Sequence, residues 1–251
     1  MVVVNFILQK RLPFLYGFFH LHKIFYTLEQ EIADLIEVYL KNDGYEVQKF
    51  YLGQEALDCI ERESFDLAVL DVMLPDIDGF KIVQKIRENH FFPVIMLTAK
   101  IEDIDKITGL TLGADDYITK PFNPLEVVAR IKTQLRRFQK YNIQVDYSTE
   151  ESIKEIDIHG LIINQTLHTC TLYGETISLT PLEFSILWYL AERKGEVVPA
   201  EQLFEAVWGE KFLDNNNTVM AHIGRLREKL KEPTRKPKFI KTVWGVGYKV
   251  E

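Results

Sequence analysis

The sequence contains few cysteines and no long hydrophobic run, and both absences exclude whole classes of protein. Its two cysteines, Cys59 and Cys170, form no CxxC pair and no Cys/His cluster, which excludes a disulfide framework and a structural zinc site. The apolar first 26 residues are interrupted by Lys10, Arg11 and a proline, and no segment reaches the ~20 apolar residues of a membrane span. We therefore expect a cytoplasmic protein with no membrane anchor.

The sequence also lacks the excess of glycine, proline or charge that marks fibrous and disordered chains. With 13 glycines, nine prolines, 47% hydrophobic and 27% charged residues in a chain of 251, the composition is that of a globular protein. This length favours two domains at ~100–200 residues each. The net charge is −7, yet residues 217–249 carry nine Lys/Arg and only two Asp/Glu. A basic segment in an acidic chain indicates an anionic partner such as nucleic acid.

The hydrophobic pattern changes near residue 154 and divides the chain. Between residues 29 and 137, helical periodicities at 32–40, near 103–112 and at 123–137 alternate with short apolar runs such as 65–71 and 92–99. This alternation predicts a doubly wound α/β domain, flavodoxin-like, with a parallel sheet. Residues 138–154 are polar and aperiodic, as in a linker. Short strands, three helical patterns and a terminal hairpin then predict an α+β domain over residues 155–251.

Three chemically complementary side chains follow neighbouring predicted strands. They are Asp71, Thr98 and Lys120, and the carboxyl ends of parallel strands lie at one edge of a sheet. Asp71 is then the candidate nucleophile for a phosphoryl group, with Lys120 pairing with the phosphoryl oxygens and Thr98 donating a hydrogen bond to one of them. Pro121 could fix the Lys120 turn through a cis bond. Singly, each side chain could instead cap a turn, bind a loop amide or form a surface ion pair.

Residues 29–137 resemble the receiver domain of two-component response regulators. The motifs that carry the resemblance are LAVLDVMLPDIDG, PVIMLTAK and GADDYITKPFNPLEVVARIKTQLRR. The resemblance implies that a sensor histidine kinase phosphorylates Asp71, that Thr98 and Tyr117 form the switch, and that Lys120 is the active-site lysine.

The metal site departs from this resemblance. Receivers end their first strand with two acidic residues that hold Mg²⁺, and the corresponding positions here hold Thr27 and Leu28. The other ligands would be Asp71, the Met73 carbonyl and a displaced Glu29, a poor octahedron of oxygens. We therefore predict weak or absent Mg²⁺ binding and slow phosphorylation.

The unusual N-terminal segment, residues 1–28, includes a degenerate first strand. Two explanations are open. The segment is out of frame relative to a working ancestor, or the receiver is adapted to work without phosphate.

Opposite charges on the predicted fourth helix, fifth strand and fifth helix suggest a dimer face. The resemblance to the OmpR/PhoB family implies that Asp116 pairs with Arg130, and Lys106 with Glu126, across a two-fold axis between receivers. Exposed ion pairs contribute only ~0–1 kcal/mol, so a solvated face is the alternative.

The segment NTVMAHIGRLREKLKE predicts a helix with one apolar face. Its other face should present small, polar and basic side chains, which suits the major groove of DNA. We expect Arg225 to contact bases. Residues expected to contact phosphates or neighbouring base edges are Thr218, His222, Arg227 and Lys229.

The sequences flanking this helix, SLTPLEFSILWYLAERKG and FIKTVWGVGYKV, resemble the winged-helix domain of the OmpR/PhoB family. The resemblance implies a recognition helix at 216–230 and a wing at 239–250. Lys241 extends the positive surface of the wing, and Trp244 stands where some relatives place a minor-groove arginine. Gly224 stands where relatives often carry arginine.

The segments EIADLIEVYLKNDGY and IKTVWGVGYK are most similar to the branch of the family that controls inducible glycopeptide resistance. This implies a homodimer that binds promoter DNA after activation by a sensor kinase. One alternative is a DNA-binding protein whose receiver only dimerises or inhibits. Another is an aspartyl-phosphate hydrolase, which would need an acid where Met73 stands, so we expect no enzyme.

Overall fold

The computed structural model of the chain describes residues 6–7, 22–26, 30–99, 112–142, 154–209, 211–212, 216–233 and 236–251. The chain forms two compact units, residues 1–138 and 139–251. Most of the predicted linker lies outside the described residues, so its bounds stay a prediction. Within the described ranges, no helix combines the length and the apolar character needed to cross a bilayer.

The first unit is built on a sheet whose main strands are parallel. The strands are Phe6–Ile7 (β1), His22–Tyr26 (β2), Tyr45–Lys49 (β3), Leu67–Asp71 (β4), Val94–Ala99 (β5) and Asp116–Lys120 (β6). The parallel strands lie in the order β3-β2-β4-β5-β6, the flavodoxin-like order. The two-residue strand β1 runs antiparallel between β2 and β4.

Four described helices accompany this sheet: Gln30–Asn42 (α1), Gly53–Ile60 (α2), Gly79–Asn89 (α3) and Pro124–Asn142 (α4). Strand β4 is buried along its whole length, as its apolar sequence predicted for a strand covered on both faces. The predicted helix at 103–112 lies almost wholly outside the described residues. The doubly wound α/β fold is confirmed.

The second unit combines two small antiparallel sheets with three described helices. The strands are Glu155–Ile158 (β7), Leu161–Asn164 (β8), Thr169–Leu172 (β9), Glu175–Thr176 (β10), Val198–Pro199 (β11), Ile240–Val243 (β12) and Gly247–Val250 (β13), and the helices are Pro181–Ala191 (α5), Ala200–Trp208 (α6) and Asn216–Lys229 (α7). The first sheet has the order β10-β9-β8-β7 and the second β11-β13-β12. The α+β winged-helix prediction is confirmed.

A capping box starts α5. The Thr180 hydroxyl accepts a hydrogen bond from the Glu183 amide at 3.3 Å, and the Glu183 carboxylate accepts one from the Thr180 amide at 2.8 Å. Each side chain satisfies an amide that the helix leaves unbonded. Both residues are fully buried, so Glu183 brings a carboxylate into the core of the domain.

Glycines shape the β12–β13 hairpin, the predicted wing. Gly245 has φ +73°, and a Cβ on Gly247 would lie 2.0 Å from the Val198 carbonyl oxygen. The β11 backbone can therefore approach β13 because position 247 has no side chain.

Candidate phosphoacceptor site and nucleic-acid interface

Asp71 and Lys120 form an ion pair at the carboxyl edge of the receiver sheet. Asp71 ends β4 and is 5% exposed, while Lys120 ends β6. The Lys120 ammonium donates to Asp71 Oδ2, and the Met73 amide donates to Oδ1 at 3.0 Å. The carboxylate therefore lies against a cation, with each of its oxygens accepting a hydrogen bond.

Thr98 lies at the same edge. Asp71 is in register with Leu97 of β5, so Thr98 is one residue nearer the carboxyl end, and it is buried. Tyr117 lies on β6 and is half-buried against the core. The three strand ends that the sequence predicted to meet thus lie side by side.

Gly79 and Asp76 position the chain around Asp71. A Cβ on Gly79 would lie 2.3 Å from the Asp71 carbonyl oxygen, so α3 can start this close to β4 only with glycine at that position. The Asp76 carboxylate accepts hydrogen bonds from the Gly53 and Gln54 amides at 2.8 and 2.9 Å, which caps α2. Burial raises the pKa of Asp76, but these backbone hydrogen bonds hold it below its ordinary value.

The peptide bond between Lys120 and Pro121 is cis.

The described residues alone supply no complete set of ligands for a Mg²⁺ ion. Mg²⁺ takes an octahedron of oxygen ligands, and the described ranges contain no group of three His, Cys, Asp or Glu side chains able to hold a metal. The Lys120 ammonium already neutralises Asp71. Thr27, Leu28 and Glu29 lie outside the described residues. The sequence offers no carboxylate at positions 27 and 28.

The residues of the predicted dimer face pair within one chain. Arg130 of α4 contacts Asp116 Oδ2 at 3.0 Å and Glu126 Oε1 at 3.1 Å. Lys106 lies outside the described residues. Pairing across a two-fold axis between receivers therefore stays a prediction.

The expectation that His222 and Arg225 are exposed is wrong. His222 is 0% and Arg225 5% exposed. The Arg225 guanidinium contacts Glu183 Oε1 at 2.8 Å, and the Lys229 ammonium contacts Oε2 at 2.6 Å. A buried carboxylate needs counter-charges, and α7 supplies them. Burial alone would raise the pKa of Glu183, but Arg225 and Lys229 lower it to about 2.

Arg227, predicted to contact a phosphate or a neighbouring base edge, makes hydrogen bonds within its own chain, and its contact with DNA stays a prediction. Its guanidinium donates to the Ile240 carbonyl at 2.8 and 3.0 Å and to the Thr242 hydroxyl at 2.8 Å. These bonds join α7 to the first strand of the wing. Arg227 therefore positions the wing against the helix.

The exposed side of α7, within the described residues, consists of side chains that were not predicted from the sequence to face DNA. Met220, Gly224 and Glu228 are exposed and follow one another at four-residue intervals. Their spacing opposite the buried apolar stripe was the signal that could have identified them. Thr218, at the start of the helix, is half-buried.

The wing carries two of the residues predicted to contact DNA. Trp244 lies in the β12–β13 turn and is 90% exposed. Lys241 of β12 forms an ion pair with Glu251. The wing therefore presents an aromatic ring at its tip and a paired cation on its strand.

Comparison with known proteins agrees with the two units. The family model of the response regulator receiver domain matches residues 29–132, and that of the C-terminal domain of transcriptional regulatory proteins matches residues 174–250. The chain belongs to the OmpR/PhoB family of two-component response regulators, transcriptional regulators that join a receiver to a DNA-binding domain.

Within this family the chain is similar to the VanR regulators. It is 65% identical over 224 residues to regulatory protein VanRc of Enterococcus gallinarum and 53% identical over 225 residues to regulatory protein VanR of Enterococcus faecium. Each alignment covers 89% of this chain and 95% of the relative. The chain is also similar to a solved structure of a RitR mutant, with a TM-score of 0.64 and 28% sequence identity. The superposition covers 89% of this chain and 95% of that chain.

Proposed function

We propose that this chain activates the promoters of glycopeptide-resistance genes when a VanS-like sensor histidine kinase phosphorylates Asp71. The observation that supports phosphorylation most directly is the ion pair of Asp71 and Lys120 at the carboxyl edge of the sheet, with Thr98 on the adjoining strand. The similarity to VanRc and VanR supports the choice of target genes. Both the kinase reaction and promoter binding would take place in the cytoplasm.

The chemistry is a phosphoryl transfer from a phosphohistidine nitrogen to an Asp71 oxygen. The P–N bond breaks, an O–P bond forms, and the released imidazole takes a proton from solvent. The Lys120 ammonium, which pairs with the carboxylate in the free protein, can then pair with a phosphoryl oxygen. The Thr98 hydroxyl can donate to a second oxygen, which would couple phosphorylation to β5.

A second candidate is a regulator that binds DNA without phosphorylation, and the residues at positions 27 and 28 favour it. A bound metal contributes several kcal/mol of charge stabilisation to such reactions, and each ~1.4 kcal/mol changes a rate tenfold. Thr27 and Leu28 supply no carboxylate, so phosphorylation should be slower than in a receiver with both acids.

DNA affinity distinguishes the two candidates. We would measure the Kd for promoter DNA with and without beryllofluoride and Mg²⁺, using the natural chain, the Thr27→Asp/Leu28→Asp double variant and Asp71→Asn as control. Under the proposed function the natural chain binds tighter with beryllofluoride, and Asp71→Asn does not respond. A response confined to the double variant would establish the second candidate instead.

The proposed active form is a homodimer of receivers. The resemblance to the OmpR/PhoB family supports this, and in the dimer Arg130 would exchange its intrachain contacts with Asp116 and Glu126 for contacts across the two-fold axis. Charge reversal at Arg130 should weaken dimerisation in sedimentation velocity, with rescue by reversal at Asp116. Absence of rescue would contradict the pairing.

A further inference from the structure

Among the described side chains of α7, those on the exposed side of the helix include no cation. Met220, Gly224 and Glu228 lie on one side of the helix because they are four residues apart. Arg225 is turned into the protein, where it contacts Glu183 at 2.8 Å. This side of the helix therefore has no arginine with which to bind guanine.

The charges along α7 favour insertion of its N-terminal half into a DNA groove. The helix dipole makes the N-terminus attractive to phosphates. Glu228 is exposed at the other end, ~12 Å from Met220 along the axis, and its carboxylate is repelled by phosphates. Met220 thus lies on the half of the helix that DNA attracts.

Met220 and Gly224 together form an apolar surface that can approach DNA closely. Met220 is 47% exposed, and helical side chains point toward the N-terminus. A Cβ at Gly224 would meet nothing within 4 Å, so protein packing does not require glycine there. Its absent side chain leaves room for base edges one turn from Met220. Thymine is marked in the major groove by its C5-methyl group, which apolar side chains contact, and the flexible thioether adapts to such a surface.

We propose that Met220 is a specificity-determining residue that contacts a thymine C5-methyl group in the major groove. The inference rests on the proposed promoter binding through α7. It replaces the guanine contact expected of Arg225 with apolar recognition of an A·T pair.

The test removes the thymine methyl groups one at a time. A preferred duplex is first selected from random DNA with the full-length natural chain, in the presence of beryllofluoride and Mg²⁺. Each thymine of that duplex is then replaced by deoxyuridine, and the Kd is measured for the natural chain, Met220→Ala and Leu167→Ala. Leu167 is a matched control, since it is 46% exposed but belongs to the connection between β8 and β9 and not to α7.

We expect deoxyuridine at one thymine to weaken binding about fourfold, the effect of one buried methyl group, for the natural chain and Leu167→Ala. For Met220→Ala the same replacement should change the Kd less than about 1.5-fold, with the Kd for random DNA unchanged. The proposal would be overturned if deoxyuridine changed the Kd equally for the natural chain and Met220→Ala, or changed it for neither. The proposed promoter binding would stand in both cases. Failure to select any preferred duplex would overturn both.

Discussion

The buried carboxylate of Glu183 should be a main source of stability for the DNA-binding domain. Glu183 is 0% exposed and lies between Arg225 and Lys229. Its pKa falls from 4.5 to about 2, and at ~1.36 kcal/mol per pH unit this corresponds to about 3 kcal/mol of stability. Glu183→Gln would leave Arg225 buried without its counter-charge, at a cost of about 3–5 kcal/mol.

Tryptophan fluorescence can follow this domain within the full-length chain, because Trp188, Trp208 and Trp244 all lie in the second unit. In urea unfolding at pH 7, Glu183→Gln should lower the midpoint by about 1.5 M if the slope is about 2 kcal/mol per M. The control Glu192→Gln removes an exposed carboxylate at the opposite, C-terminal end of the same helix, and should change stability by less than about 0.5 kcal/mol.

The pH dependence supplies an independent check. A depressed pKa contributes stability that is fully present above pH 4.5 and is lost as the pH falls toward 2. The stability difference between the natural chain and Glu183→Gln should therefore shrink over that interval. The reasoning would be refuted if Glu183→Gln lost less than about 1 kcal/mol of stability at pH 7. It would also be refuted if the stability difference between the two proteins did not change down to pH 2.

Three further substitutions test the packing. Gly224→Ala should stabilise the second unit by about 0.5–1 kcal/mol in urea unfolding, because Gly224 is helical with open space at its Cβ; destabilisation would contradict this. Arg87→Met should lower the free energy of unfolding of the first unit by about 3–5 kcal/mol, because Arg87 contacts buried Asp115 at 2.6 Å. Unfolding would be followed by circular dichroism, and a loss under 1 kcal/mol would show the pair to be dispensable. Gly79→Ala should cost about 1–3 kcal/mol and slow labelling of Asp71, and unchanged labelling would disprove the close approach.

Much of the receiver could be predicted from sequence because its signals are local. The apolar runs at 65–71 and 92–99 became β4 and β5, and helical periodicity predicted α1 and α4. Asp71 and Lys120 could be placed together because parallel strands share one carboxyl edge. The extra strand Phe6–Ile7 and its pairing with β2 and β4 had no such signal, since two residues have no measurable period.

The exposed side of α7 was predicted less well. Helical periodicity identifies the apolar residues that are buried, but it does not show that a charged residue beside them is buried by an ion pair. Arg225 is buried by its contact with Glu183, 42 residues earlier in the sequence. The TPLE motif around Glu183 indicates a capping box, and a capping carboxylate inside an apolar helix needs a cation. That requirement was the available clue to the position of Arg225.

The central claim, phosphorylation control through Asp71, is tested most directly by labelling the natural chain with a phosphorylated sensor kinase. We predict slow incorporation of one phosphoryl group per chain at Asp71, abolished in Asp71→Asn and accelerated by orders of magnitude with Mg²⁺ in Thr27→Asp/Leu28→Asp. No detectable label on Asp71 of the natural chain, while the double variant is labelled, would contradict the claim.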